Sequence, residues 1–242
     1  MLSNIECIAL RTVRVNDSRN LLSVWSRCHG RLTLAMPSGK GRESKRRRAL
    51  TGPLSLFEAV VDIRPDREVA TVREMIPMAT SPAMLLSPMR AAGATFLAET
   101  LDVILRRTEA DDILSDFLFS AVAYYGECGG RAAANFHVSF LIHLAEFLGI
   151  APDYGEARHG CLFDIKEGRF VRSAPLHGDY LSSVDSRALL AFGEISLYHC
   201  GRIFIERFER RRAIDIIFHY YDLHLCSLEG VKSLSILRQI FD

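Results

Sequence analysis

The hydrophobic pattern of this chain changes its period once, and that change constrains the fold more than any other feature. From Ile5 to Glu74 the apolar residues come in short runs bounded by turn residues, with no helix-length repeat. Ile5 to Val15 is the first run. Asn16-Asp17-Ser18 breaks it as a turn cluster, Leu21 to Ser26 is the second, and Cys28-His29-Gly30 connects tightly to the third, Arg31 to Met36. In that third run Leu32, Leu34 and Met36 alternate with Arg31, Thr33 and Ala35, so Leu21 to Met36 reads as a hairpin. Leu54 to Val61 and Val69 to Met75 supply two more strands. Five short strands in so little chain predict a five-stranded Greek-key barrel of OB type over residues 1–78, with an SH3-like barrel the weaker alternative.

Met75 to Met89, with three prolines, reads as a linker, and helical spacing takes over after it. Leu97, Leu101, Ile104 and Leu105 share one helix face. A second helix, carrying Ile113 to Tyr125, enters at the acidic stretch Glu109 to Asp112 and stops at Gly126 to Gly130. Phe136, Phe140, Leu144, Phe147 and Leu148 define a third, ended by Gly149 and Pro152. Residues 153–183 are irregular, with Cys161 to Ile165 and Arg169 to Val171 spaced to pair as a hairpin through Lys166-Glu167-Gly168, and helices resume near Asp185. The fold class expected is therefore α+β and multidomain: an OB-fold barrel at 1–78, then a helical domain at 79–242 with an irregular insert.

Charge follows the same division. The whole chain sums to +1, from 30 Lys and Arg against 29 Asp and Glu, but residues 1–80 carry 14 against 8, or +6, and the remainder carries 16 against 21, or −5. Such asymmetry suggests a polyanion-binding front end on an acidic body. The segment Ser38 to Arg48 concentrates it, with Lys40, Arg42, Lys45, Arg46, Arg47 and Arg48 around the single acid Glu43. It reads as a solvated, mobile basic loop suited to phosphates, each contact adding salt-dependent, sequence-independent affinity. It lacks the G-x-x-x-x-G-K-[ST] frame, and with no helix expected after it, a nucleotide-hydrolysing P-loop is excluded. Arg11, Arg14 and Arg31 are lesser phosphate candidates. Trp25, the only tryptophan, is a candidate stacking platform for a base, and Phe57 a weaker one. Arg202, Arg207, Arg210, Arg211 and Arg212 form a second arginine cluster, a candidate second DNA or partner contact, against which stands local pairing with the interleaved Glu206 and Glu209 on a solvated helix face.

The six cysteines (Cys7, Cys28, Cys128, Cys161, Cys200 and Cys226) are widely spaced, with no C-x-x-C pair, and read as free thiols. His159, Cys161, His177 and Asp179 gather metal-ligating and catalytic residue types in 21 residues, but their spacing is not that of paired zinc ligands. A Cys/His hydrolase built on them is the alternative from another class, and it names no nucleophile-base-orienter set. His224 has no evident acid or base partner and reads as a packing residue. The N-terminus, interrupted by Glu6, Arg11 and Arg14, lacks the apolar core of a signal peptide, and a cytoplasmic address without membrane contact is expected.

The order of parts resembles the RecO family of recombination mediators in its Bacteroidetes-like form. The residues that carry the resemblance are Leu10-Arg11-Thr12-Val13 with Asn16-Asp17, His29-Gly30-Arg31, the basic segment Lys40 to Arg48, and Pro53-Leu54-Ser55-Leu56. Asn135-Phe136 through Phe147-Leu148-Gly149, Tyr221 with His224-Leu225, and Lys232-Ser233 complete it. The resemblance implies an OB fold, a helical C-terminal domain and a non-enzymatic protein with no cofactor. Such proteins bind single- and double-stranded DNA and anneal complementary strands. They contact the acidic C-terminal tail of the single-stranded-DNA-binding protein SSB, associate with RecR, and help RecA displace SSB. Two departures stand out. The four-cysteine zinc module of many members is reduced here to Cys161, so no zinc is carried over. An arginine that some members place before the phenylalanine of the third helix, near the SSB-tail pocket, is Asn135 here, with Arg131 one turn earlier a candidate substitute for that partner contact or a second DNA contact. The expected function is thus a DNA-binding, strand-annealing mediator, with an RNA-binding OB protein as the reading that shares its electrostatics.

Overall fold

Strand β1 (Leu2–Arg14) is long enough to serve two neighbours, and the barrel closes through it. Leu2 to Ile8 pair antiparallel with β4 (Leu56–Asp62), while Cys7 to Arg14 pair with β2 (Arg19–Ser26). A bulge between Ala9 and Arg11 bends the strand from one ladder into the other. β3 (Gly30–Pro37) returns against β2 as a hairpin. β5 (Val69–Pro77) lies antiparallel to β4 and parallel to β3, so the sheet closes in the order β1-β2-β3-β5-β4, the OB-like barrel expected from the strand pattern. Its interior is filled by every second residue, among them Ile5, Cys7, Leu22, Val24, Leu34, Phe57, Val61 and Val72. All six cysteines are free, four of them buried. The computed structural model describes residues 2–39, 41–64, 67–78, 87–158 and 160–240, and of these the side chains of Arg42, Glu43, Lys45 and Ile240 lie outside the description. Lys40, His159 and the greater part of the linker, residues 79–86, lie outside the described residues.

Between β3 and β4 the chain forms a helix, α1 (Arg42–Leu50), where the charge density suggested a mobile loop. This corrects the loop reading, and propensity explains it: Arg, Glu, Lys, Ala and Leu are all good helix formers, and Gly39 and Gly41 stand ahead of the helix. Arg47 and Arg48 occupy its last turn, where cations meet the partial negative charge of the helix end. Leu50, buried in the barrel core, anchors it. A helix therefore does follow Gly41; the P-loop reading still fails, since the residue frame is missing.

The chain forms two compact units, the first made of Met1–Glu127 with Gly230–Ile240 and the second of Cys128–Glu229. In the first, α2 (Pro88–Ile104), a short 3-10 turn (Leu105–Arg107), α3 (Asp112–Glu127) and the final helix α7 (Ser233–Ile240) join the barrel. The outward face of β2 lies against α3. Trp25 is fully buried and donates its indole N–H to Ser115 Oγ at 3.1 Å, and Ser115 in turn donates to the Arg27 carbonyl. Arg27 pairs with Glu6 at 2.6 Å and with Asp116, and lies over the Phe119 ring. Arg31 donates to the buried Asp102 at 2.7 Å and 3.2 Å. These contacts bear on two expectations. Trp25 points outward from the barrel as a stacking residue would, but a helix covers it and no ring face is left for a base. Arg31 pairs with a buried carboxylate and keeps a quarter of its side chain exposed, so the fold claims part of a residue read as a phosphate contact. Phe57 is likewise buried, in the barrel interior. Glu99 of α2 accepts from the Ser233 backbone at 2.8 Å and from its hydroxyl, and so caps α7 from a distance of 134 residues in sequence.

In the second unit α4 (Gly130–Phe147) and α6 (Arg207–His224) are joined by the Tyr221 hydroxyl donating to the Leu141 carbonyl at 2.8 Å. The insert forms the expected hairpin, β6 (Leu162–Asp164) with β7 (Arg169–Val171), and adds a third strand β8 (Tyr180–Leu181) ahead of α5 (Ser183–Glu194). Gly193 is required where it stands, because a Cβ there would lie about 2.2 Å from the Tyr154 ring. His224 bonds the Ile165 carbonyl at 2.8 Å and packs on Tyr220, the packing role read from the sequence.

Two outcomes follow. Arg31→Ala leaves Asp102 buried without its closest cation and should destabilise the protein by about 3 kcal/mol, measured by urea unfolding, whereas a loss near zero would return Arg31 to the surface candidates. Trp25 emission should resist acrylamide and stay unchanged when single-stranded DNA is titrated in; quenching by the added bases would show that the ring is reachable.

Candidate nucleic-acid interface

The pairing of β3 with β5 is short. It covers only Thr33 with Val69, Leu34 with Ala70 and Ala35 with Thr71, and beyond Ala35 the two strands part. An open groove of about 360 Å³ lies there, lined by Ser18, Arg19, Ala35, Met36, Pro37 and Thr71. The β1–β2 turn shapes one wall. Asn16 Oδ1 accepts from the Ser18 backbone at 3.0 Å and from its hydroxyl at 2.9 Å, and Ser38 donates its N–H to the Ser18 carbonyl at 2.8 Å, tying the turn to the end of β3. α1 packs against β5, the strand that contributes Thr71.

Arg19 lines this groove, and further cations are exposed elsewhere on the barrel and on α1. Arg46 and Arg48 of α1 point to solvent, and Arg47 is half-buried. Arg14 is exposed and paired with Asp17 across the turn, and Arg11 is exposed on β1. A surface pair of this kind is worth little, so Arg14 can exchange Asp17 for phosphate at small cost. Arg73 of β5 is 61% exposed with Asp62 at 3.8 Å. The sequence-selected residues thus divide: Arg46, Arg47 and Arg48 come together on one helix, Arg11 and Arg14 stand on β1, Arg31 is half-buried against Asp102, and Trp25 leaves the surface. Arg19, on the groove wall, was missed. Its only sequence signal was its place directly after the turn cluster.

The second arginine cluster lies on the second unit. A 3-10 turn (Leu197–Arg202) and the start of α6 run along α4, held by Asn135, whose amide donates to the carbonyls of Cys200 and Ile203, each at 2.9 Å. Asn135 is fully buried and structural. Arg131 donates to the Gly201 carbonyl at 3.2 Å and lies over the Phe204 ring, 3.7 Å from its centroid. Arg210 donates to the Ile205 carbonyl at 3.0 Å, and burial, followed by the charge of Arg207, lowers its pKa. Burial first and the Arg210 charge second push the fully buried His137 down to about 3, so its imidazole is neutral. Arg202 and Arg207 are exposed, Arg211 is half-buried, and Arg212 pairs with Asp185 at 3.2 Å.

The hydrolase candidates do not converge. His177 meets Asp164 at 3.2 Å, Asp179 meets His219 at 3.5 Å, and the Cys161 thiol is directed to the Glu156 carbonyl at 3.7 Å. Among the described residues, no three His, Cys, Asp or Glu side chains are grouped to hold a metal ion, and no helix is long and apolar enough to cross a membrane.

Residues 1–80 match the family model described as recombination protein O N terminal, and residues 86–234 match recombination protein O C terminal. The chain is 31% identical to DNA repair protein RecO of Phocaeicola vulgatus, with all of both chains covered, and 33% identical to DNA repair protein RecO of Porphyromonas gingivalis strain W83, with 97% of each covered. It is 23% identical to DNA repair protein RecO of Christiangramia forsetii, again over the full length of both. With two family models that together span nearly the whole chain, and an OB-like barrel followed by helices beneath them, this protein belongs to the RecO family of DNA repair proteins.

Proposed function

We propose that this chain is a non-enzymatic DNA-binding mediator that holds strands by their phosphates on the barrel and anneals complementary ones. The observation that carries the reading is α1: a helix with exposed Arg46 and Arg48, standing on an OB-like barrel of a RecO-family chain and packed on the strand that borders an open groove. Lys40, Arg42 and Lys45 extend the same run in sequence. Arg11, Arg14, Arg19 and Arg73 add cations on the barrel surface, and the groove gives the sugar-phosphate chain a track. Annealing on such a surface needs no bond chemistry. Two polyanions brought onto one basic face repel each other less, and base pairing drives the product.

The partner part of the reading rests on the family. It comprises the acidic tail of SSB, RecR, and assistance to RecA on SSB-coated single strands. Residues 81–242 sum to −5, so an acidic tail has to find a local basic patch against an unfavourable mean charge. An RNA-binding role shares the electrostatics, and competition between matched RNA and DNA strands separates the two.

Arg46→Glu, Arg47→Glu and Arg48→Glu together should weaken binding of a labelled single strand by tenfold or more at low salt. The slope of log affinity against log salt should flatten by about 2, three contacts at about 0.7 each. The annealing rate of complementary strands should fall in parallel. An unchanged slope would remove α1 from the site.

A further inference from the structure

We infer that the second unit carries its own single-stranded nucleic-acid site, a stacking surface made of Phe204 and Phe208 and framed by arginines. Phe204 is 78% exposed and Phe208 70%, four residues apart on either side of the α6 N-cap Glu206. Two bulky aromatics so open to water cost the fold solvation that nothing within the unit returns, and such exposure marks a binding surface. Arg131 supports one face of Phe204 at 3.7 Å, leaving the opposite face open for a base to complete an arginine-phenylalanine-base stack.

Charge complementarity selects the occupant. Among the described residues Arg131 has neutral partners, the Gly201 carbonyl and the Phe204 ring, and Arg210 donates to the Ile205 carbonyl and Asn135 Oδ1, with its Nε buried and unbonded. Among the described residues no carboxylate is hydrogen-bonded to either guanidinium; the charges of Glu206 and Glu209 act on Arg210 from a distance, so of the two Arg131 is the cation less offset by acids. The two acids of the stretch are engaged in the helix start: the Glu206 side chain accepts from the Glu209 backbone, and Glu209 accepts from the Glu206 N–H at 2.7 Å and from Arg187 at 3.1 Å. Arg202 and Arg207, both exposed, flank Phe204 and Phe208 in sequence. Flat apolar faces beside guanidiniums are what a single strand requires, with phosphates for the arginines and bases for the rings. A duplex hides its base faces and gains from the arginines alone. The inference rests on the DNA-binding reading for the class of polymer, and it adds a surface that reads bases by stacking to a barrel that holds phosphates.

The test uses the full chain, a fluorescein-labelled oligothymidylate, and an abasic strand of equal length. Phe204→Ala should lower affinity for oligothymidylate about fivefold or more and leave the abasic strand unaffected, and Phe204→Tyr should restore it. An iodouracil-substituted oligonucleotide should photocross-link to Phe204 or Phe208. The α1 charge reversal should weaken both strands alike, so the two surfaces fail separately: a silent α1 variant counts against the barrel site alone. Wild-type affinity of Phe204→Ala for oligothymidylate, or an equal loss on the abasic strand, would overturn the stacking site. So would a loss confined to an acidic peptide with a terminal aromatic residue, which would make the surface a protein dock.

Discussion

The double pairing of β1 is the constraint on which the rest of the first unit depends. One strand donates and accepts along both edges, to β4 over its first half and to β2 over its second, and the bulge at Ala9–Arg11 makes the change of neighbour possible. With β1 in place, β5 has to reach across to β3, a partner it meets in parallel for only three residues. The groove is the direct result, because the ladder ends before the strands do. α1 then spans from β3 to β4 and packs on β5, the strand that contributes Thr71 to that groove. The candidate site is thus a consequence of how the barrel closes.

The cover over the outer face of β2 and β3 is the second consequence. Trp25 and Arg31 project outward from the barrel, as surface residues of an isolated barrel would, but Ser115 and Asp102 meet them from α3 and α2. The helices use the face that the strand pattern left open, and so Trp25 is withdrawn from the exposed surface, while the groove, the β1–β2 arm and α1 keep exposed arginines. The buried pair of Arg31 with Asp102 gives this packing a fixed register, since removing either partner leaves an uncompensated polar or charged group.

Much of this was legible in residue order. Strand-length runs, the turn at Asn16-Asp17-Ser18, the hairpin around Lys166-Glu167-Gly168 and the helix-stopping Gly149 are local signals, and local signals survive folding unchanged. α1 was misread because a dense run of charge excludes burial but says nothing against a helix, and the propensity of Arg, Lys, Glu and Ala was the better guide. The partners of Trp25 and Arg31 were not legible because they lie more than 70 residues away in sequence, where no spacing rule reaches. Arg19 was missed for a similar reason: the groove it lines exists only through the pairing of two strands that are not consecutive. The arginine cluster of α6 was visible as composition, but the orientation of Arg131 onto Phe204 was not.

The central claim is that DNA lies along the barrel groove and α1. Amide hydrogen exchange, with and without a saturating single strand, tests it most directly. The account predicts slowed exchange in 42–50, in the turn at 16–20 and at the ends of β3 and β5 near Pro37 and Thr71, with no change around Trp25 and Ser115 on the helix-covered face. Protection that spares α1 and the groove, wherever else it falls, would contradict it.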